Sequence, residues 1–168
     1  MKTLIALLRA VNVGGTGKLP MSELKVLCVK AGLVNVRTYI ASGNVVFESD
    51  RSEAQVKAAL EGALKKYAGK PVGVLVRSAT EMAAVLAANP FPKAAPNRTV
   101  AIFLDESPAD DVLDSVSGRS GEEIRVGKRE IYVHYGDGMA TSKLKIRAAQ
   151  AGTARNMNTV AKLVAMAK

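Results

Sequence analysis

The first 77 residues alternate between two hydrophobic periods in a fixed order, and that order constrains the fold more than any other feature of the chain. Lys2–Val11 (KTLIALLRAV) is a nearly continuous apolar run, as a central strand requires. In MSELKVLCVKAG, Leu24, Leu27, Cys28 and Ala31 share one helical face, and Gly32 ends the helix. NVRTYIASGNVVFES predicts two strands, with Val36, Tyr39, Val45 and Phe47 as strand formers. Gly43-Asn44 fits a two-residue hairpin turn with Gly at its first position. SEAQVKAALEGALKKY opens with Ser52 and Gln55 in capping-box spacing, and Val56, Leu60, Ala63, Leu64 and Tyr67 form its apolar stripe. Gly73–Arg77 (GVLVR) closes the set as a fourth strand. The order β-α-β-β-α-β is that of a ferredoxin-like split unit, an α+β fold with two helices on one face of a four-stranded antiparallel sheet.

A second unit follows a boundary. Ser78 and Glu81 form another capping box, and the helix they start runs to about Asn89, where Pro90, Pro92 and Pro96 of NPFPKAAPN stop it. Residues 78–97 therefore read as helix and linker between units 1–77 and 98–168. RTVAIFL predicts a strand, SPADDVLDSV a helix started by Pro108, and EEIRV and EIYVHY a hairpin around Gly127-Lys128. The tail predicts helix in two pieces. Asn158 is placed to cap the last, with Val160, Leu163, Val164 and Ala167 turned inward. The second half thus starts β-α-β-β-α, a degenerate second α/β plait, although no residue-level repeat links it to the first.

Composition narrows the chemistry. The chain has one Cys, Cys28, and one His, His134, which leaves neither an internal disulfide nor a His/Cys metal set. Cys28 reads as a core thiol. No motif calls for a cofactor. Only Lys2 precedes the N-terminal apolar run and Arg9 interrupts it, so no targeting segment or membrane span is expected, and a cytoplasmic location is. The net charge of +9 is uneven. Residues 1–77 hold 12 Lys+Arg against 5 Asp+Glu; residues 138–168 hold 6 against none; residues 98–137 hold 5 against 9. A basic surface of this kind favours phosphate-bearing partners, a small molecule or a nucleic acid backbone.

The loop RAVNVGGTGKLPM tests that idea. A phosphate-cradling G-x-x-x-x-G-K-[ST] loop needs Gly where Asn12 stands and a hydroxyl where Leu19 stands. The dinucleotide pattern fails as well, because Gly15 and Gly17 are followed by Pro20. Gly14, Gly15 and Gly17 serve better as turn residues that return the chain from a central strand to a helix, in a loop whose N–H groups can also meet a simple anion. In a split β-α-β unit the end of strand 1 lies beside the turn joining strands 2 and 3. Arg9, Asn12, Ser42 and Asn44 therefore converge with Lys18 at one sheet end, a set of polar groups suited to a polar or anionic ligand. A second cluster, Arg155, Asn156 and Asn158 in TARNMNTV, falls at a helix N-terminus shortly after Lys143, Lys145 and Arg147. Helix capping by Asn156 or Asn158, with Arg155 tying the tail to the first unit, explains the same residues.

The segments LLRAVNVGGTGKLPMSELK, VRTYIASGNVVFES, ANPFP and the closing SKL and TARNMNTVAKL, in this order, resemble the bacterial family known as domain of unknown function 1697. The resemblance implies a pair of ferredoxin-like units and no settled biochemical activity. Met157 stands between Asn156 and Asn158 where the family pattern has an aromatic, usually Trp. The apolar contact is kept and a stacking surface is not.

Three classes of function follow. Binding of a polar or phosphate-bearing ligand fits the charge and the Asn12 end of the sheet. Base recognition in the manner of RNA-binding plaits does not fit, because SGNVVFES lacks the paired strand aromatics. A metal-free enzyme would have His134 as its general base, on the strand face opposite Ile131 and Val133. A homo-oligomer would pair the open edges of the sheets.

Overall fold

The computed structural model of the protein describes residues 1–12 and 18–168. The loop glycines Gly14, Gly15 and Gly17 lie outside the described residues. The chain divides into two compact units, Met1–Met82 with Leu163–Lys168, and Ala83–Lys162.

The first unit contains β1 (Lys2–Leu8), α1 (Met21–Lys30), β2 (Val34–Tyr39), β3 (Asn44–Ser49), α2 (Glu53–Ala68) and β4 (Val74–Ser78). Its strands stand in the order β2-β3-β1-β4, all neighbours antiparallel, which is the ferredoxin-like arrangement. Alternation sends Leu4, Ala6 and Leu8 of β1, with Val45 and Phe47 of β3, toward α1 and α2. Leu24 and Cys28 of α1 and Val56, Leu60 and Leu64 of α2 complete that core. The opposite face, with Ile5, Leu7, Val46 and Leu75, is equally buried. Both faces being dry explains why β1 reads as a continuous apolar run. The capping box at Ser52 is closed in both directions: Gln55 N–H donates to Ser52 Oγ at 3.1 Å, and Ser52 N–H to Gln55 Oε1 at 3.0 Å.

The predicted two-residue turn at Gly43-Asn44 is replaced by a four-residue loop. Tyr39 pairs with Asn44, and residues 40 to 43 connect them. Ile40 and Gly43 take φ of 50° and 88°. Gly43 gives its carbonyl to Leu8 N–H at 2.9 Å, and a Cβ there would stand 2.8 Å from both Leu8 Cβ and Val11 Cγ2. A second carbonyl of this loop, Ala41 O, accepts from Asn12 Nδ2 at 2.8 Å.

The division between the units falls within α3 (Ala79–Ala87), whose first turn is capped by Ser78 Oγ accepting from Glu81 N–H at 3.0 Å; the sheet of the second unit follows. Its strands are β5 (Thr99–Phe103), β6 (Glu123–Val126), β7 (Glu130–His134) and β8 (Thr153–Asn156), in the order β6-β7-β5-β8. This repeats the order of the first sheet element for element. Arg77 of β4 lies opposite Ile5 of β1, and Arg155 of β8 lies opposite Ala101 of β5. Both arginines are buried. The two sheets thus carry a matching buried cation on the outer strand beside the central one.

Two expectations fail in this unit. The helix expected over SPADDVLDSV contracts to a 3-10 turn at Val112–Ser115. Asp110, Asp111, Asp114 and Ser115 compete for the backbone in non-helical conformations, and Val112 alone is buried within the turn. The tail is not two helices. It forms 3-10 turns at Gly136–Thr141 and Arg147–Ala151, then β8, then α4 (Met157–Met166). The four residues of β8 have weak strand propensity and exist as a strand only because β5 offers them an edge. Among the described residues no helix is long and apolar enough to cross a membrane.

Candidate functional site

The end of β1 is where the sequence places its first cluster, and the chain there is shaped by backbone demands. Arg9 N–H donates to Gly73 O at 2.9 Å, beyond the last β1–β4 pair. Ala10 and Asn12 then take φ of 51° and 57°, the left-handed region, so the strand stops at Leu8 rather than Val11. Asn tolerates that conformation better than most residues.

The Asn12 side chain is consumed by the fold. Its Nδ2 donates to Leu19 O at 2.9 Å and to Ala41 O at 2.8 Å, and its Oδ1 accepts from Leu19 N–H at 2.6 Å. One amide thus ties Asn12 to Leu19 and to the β2–β3 turn, the juxtaposition expected from topology. Asn44 is fully buried and its Nδ2 donates to Tyr39 O at 2.9 Å and to Ser42 Oγ at 3.0 Å. Asn12, Ser42 and Asn44 therefore hold the sheet end in shape.

Beside these residues lies a cleft of about 820 Å³. Among the described residues that line it, Arg9, Lys18 and Lys70 are the cations and none is a carboxylate. Val11, Leu19 and Leu64, which are buried, form an apolar floor with Val72. Tyr67, from the last turn of α2, stands at the rim and is 44% exposed. The walls are fixed in place: Glu61 Oε2 accepts from Val74 N–H at 3.1 Å, and Lys57 Nζ donates to Val74 O at 2.6 Å, clamping α2 to the start of β4. Gly73 lets the Arg9 stem lie close, since a Cβ there would come within 2.9 Å of Arg9 Cδ. The sequence marks neither Lys70 nor Tyr67 as a site residue. Tyr67 belongs to the α2 stripe and Lys70 to no motif; only the return of the chain from α2 to β4 puts them beside Arg9.

The second cluster has local tasks. Asn156 caps α4, its Oδ1 accepting from Thr159 N–H at 2.9 Å; the cap is Asn156 rather than Asn158 because the helix begins at Met157. Asn158 is exposed. Arg155 is buried in β8, where its Nη1 donates to Thr153 Oγ1 at 2.7 Å and to Ala154 O at 2.9 Å. Burial lowers its pKa to about 10, still charged at neutral pH. Lys143, Lys145 and Arg147 are exposed.

His134, the candidate base, is a structural link in the second unit. Its Nδ1 lies 3.1 Å from Thr99 Oγ1, and that hydroxyl donates to Ala95 O. The Phe91 ring of the Pro-rich segment packs on the imidazole, centroids 5.8 Å apart. Cys28 is fully buried, and burial pushes its thiol up to about 12. Among the described residues no group of three or more His, Cys, Asp or Glu is placed to hold a metal ion.

Comparison with known proteins agrees with this reading of the fold. The conserved bacterial protein SP0830 from Streptococcus pneumoniae has a similar structure, with a TM-score of 0.82, 27% sequence identity and 99% of each chain covered. No curated protein sequence matches this chain. The model of a protein family of unknown function, DUF1697, matches residues 1–132, which span β1 through the first residues of β7. The chain belongs to that family.

Proposed function

We propose that the first unit binds a small molecule carrying a phosphate or comparable anionic group, in the cleft between the end of β1 and the end of α2. The observation that carries this reading is the lining: Arg9, Lys18 and Lys70 around about 820 Å³, with no acid among them. A site of this size suits a small organic ligand. The C-terminal end of α2 also borders the cleft and opposes an anion, but a helix end is worth about half an elementary charge against three full cations. In this reading Arg9 contacts the ligand, and Asn12, Ser42 and Asn44 act as positioning residues. Arg155, Asn156 and Asn158 are left out of it, since two of them are engaged in strand and cap and the third carries no geometry that points to a ligand.

Thermal unfolding against inorganic phosphate, sugar phosphates, nucleotides and short RNA, at low and physiological salt, tests the proposal. A ligand at about 100 times its Kd contributes about 2.7 kcal/mol. In a chain of this size that raises the midpoint by about 5–10 °C. The rise should shrink in Arg9→Ala and Lys70→Ala variants and with added salt. No rise with any anion, or a rise unaltered in both variants, overturns the proposal. A rise with RNA alone would move the function to a nucleic acid backbone.

A further inference from the structure

Resting on that reading, we infer that the cleft takes a phosphomonoester attached to a flat ring body, the class that includes nucleoside monophosphates and aryl phosphates, rather than a bare anion. The cleft is built in two chemistries. Its three cations, Arg9, Lys18 and Lys70, exceed by about one the charge of a phosphomonoester, about −1.5 to −2 at neutral pH. Its floor offers no such groups. Val11 and Leu19 are 7% and 6% exposed and Leu64 is 1% exposed, and all three belong to the core of the unit.

A volume of about 820 Å³ is far more than a bare phosphate needs, and leaves room for an organic body beside the anionic group. The shape of that body is set by Tyr67. Tyr67 lines the cleft and is 44% exposed, although it continues the helix face that buries Val56, Leu60 and Leu64. An exposed aromatic side chain in a cleft lined by cations favours a planar partner through offset stacking. An alkyl chain would gain only the area term.

The chain has no Trp, so a Tyr67→Trp variant carries a single Trp at the cleft rim and reports binding by its fluorescence. Titrations with inorganic phosphate, phenyl phosphate, adenosine monophosphate and adenosine then separate the two chemistries. The two ring phosphates should bind at least about fivefold tighter than inorganic phosphate, the low end of what one aromatic stack is worth. Adenosine should bind much more weakly than its monophosphate. Calorimetry on Tyr67→Ala should show the advantage of the ring phosphates reduced by a similar factor, with inorganic phosphate unchanged. Equal affinity for inorganic phosphate and adenosine monophosphate overturns the ring inference and leaves the anion site standing. Full retention of the advantage in Tyr67→Ala also overturns it. Equal affinity for adenosine and its monophosphate, or no binding by any of the four, overturns the anion site and the inference with it.

Discussion

Gly43→Ala should be among the most damaging small substitutions in the first unit. Two separate costs add. At φ of 88° an L residue is strained by about 1 kcal/mol relative to glycine. The new methyl would also stand 2.8 Å from Leu8 Cβ and from Val11 Cγ2. Neither neighbour can yield: Leu8 is fully buried in β1 and Val11 is nearly so. Overpacking of that kind costs about 1–3 kcal/mol. The expected loss is therefore about 2–4 kcal/mol. Gly69→Ala is the control. Its φ of 73° brings the same strain, but a Cβ there meets nothing within 4 Å. It should lose about 1 kcal/mol and no more. Urea unfolding at 25 °C, followed by far-ultraviolet circular dichroism, gives both values if the slopes are unchanged. If Gly43→Ala loses no more than Gly69→Ala, the contact of the β2–β3 loop with Leu8 and Val11 is not tight. The β2–β3 loop would then not lock the end of β1.

Two further outcomes follow from burial and hydrogen bonding. With its thiol pushed up to about 12, Cys28 should resist maleimide at pH 7.5 in the native chain and react fully once unfolded by urea; stoichiometric labelling of the native chain within minutes would contradict its place in the core. Glu122 accepts from Ser120 N–H and from Ser142 Oγ, the latter at 2.8 Å, and these bonds, the backbone one foremost, hold its carboxyl below the usual carboxylate range. A depressed folded pKa means stability that is present above the unfolded value and lost as pH falls through the folded one. The urea midpoint of Glu122→Gln should therefore trail that of the unaltered chain at pH 7 and converge with it as the pH falls through the lowered carboxyl pKa, and a gap that stays constant down into the acid range would refute the assignment.

The first unit was legible because its signals are local and consistent. Ser52 and Gln55 cap α2 as their spacing requires, and Ser78 with Glu81 caps α3 in the same way. The strand order then follows from connectivity, so the meeting of Asn12 with the β2–β3 turn was foreseeable. What Asn12 does there was not. Its donors and acceptor are spent on Leu19 and Ala41, and the sequence shows only that an amide is available.

The candidate site divides along the same line. Arg9 and Lys18 stand out in the sequence because they flank the loop after β1. Lys70 and Tyr67 do not, because their partners are about sixty residues away and are reached only when α2 folds back across the sheet. The short strand β8 was hidden for a related reason: Thr153–Asn156 has no strand pattern of its own and is paired only by β5. The sequence by itself determined the hydrophobic periods, the caps, the connectivity of each plait and the excess of positive charge, since these depend on neighbours within a turn or a strand. Tertiary structure alone decided which polar groups are consumed by the backbone, which cations share the cleft and which weak segment becomes a strand. Each of those depends on hydrogen-bond partners and buried surface supplied by residues distant along the chain.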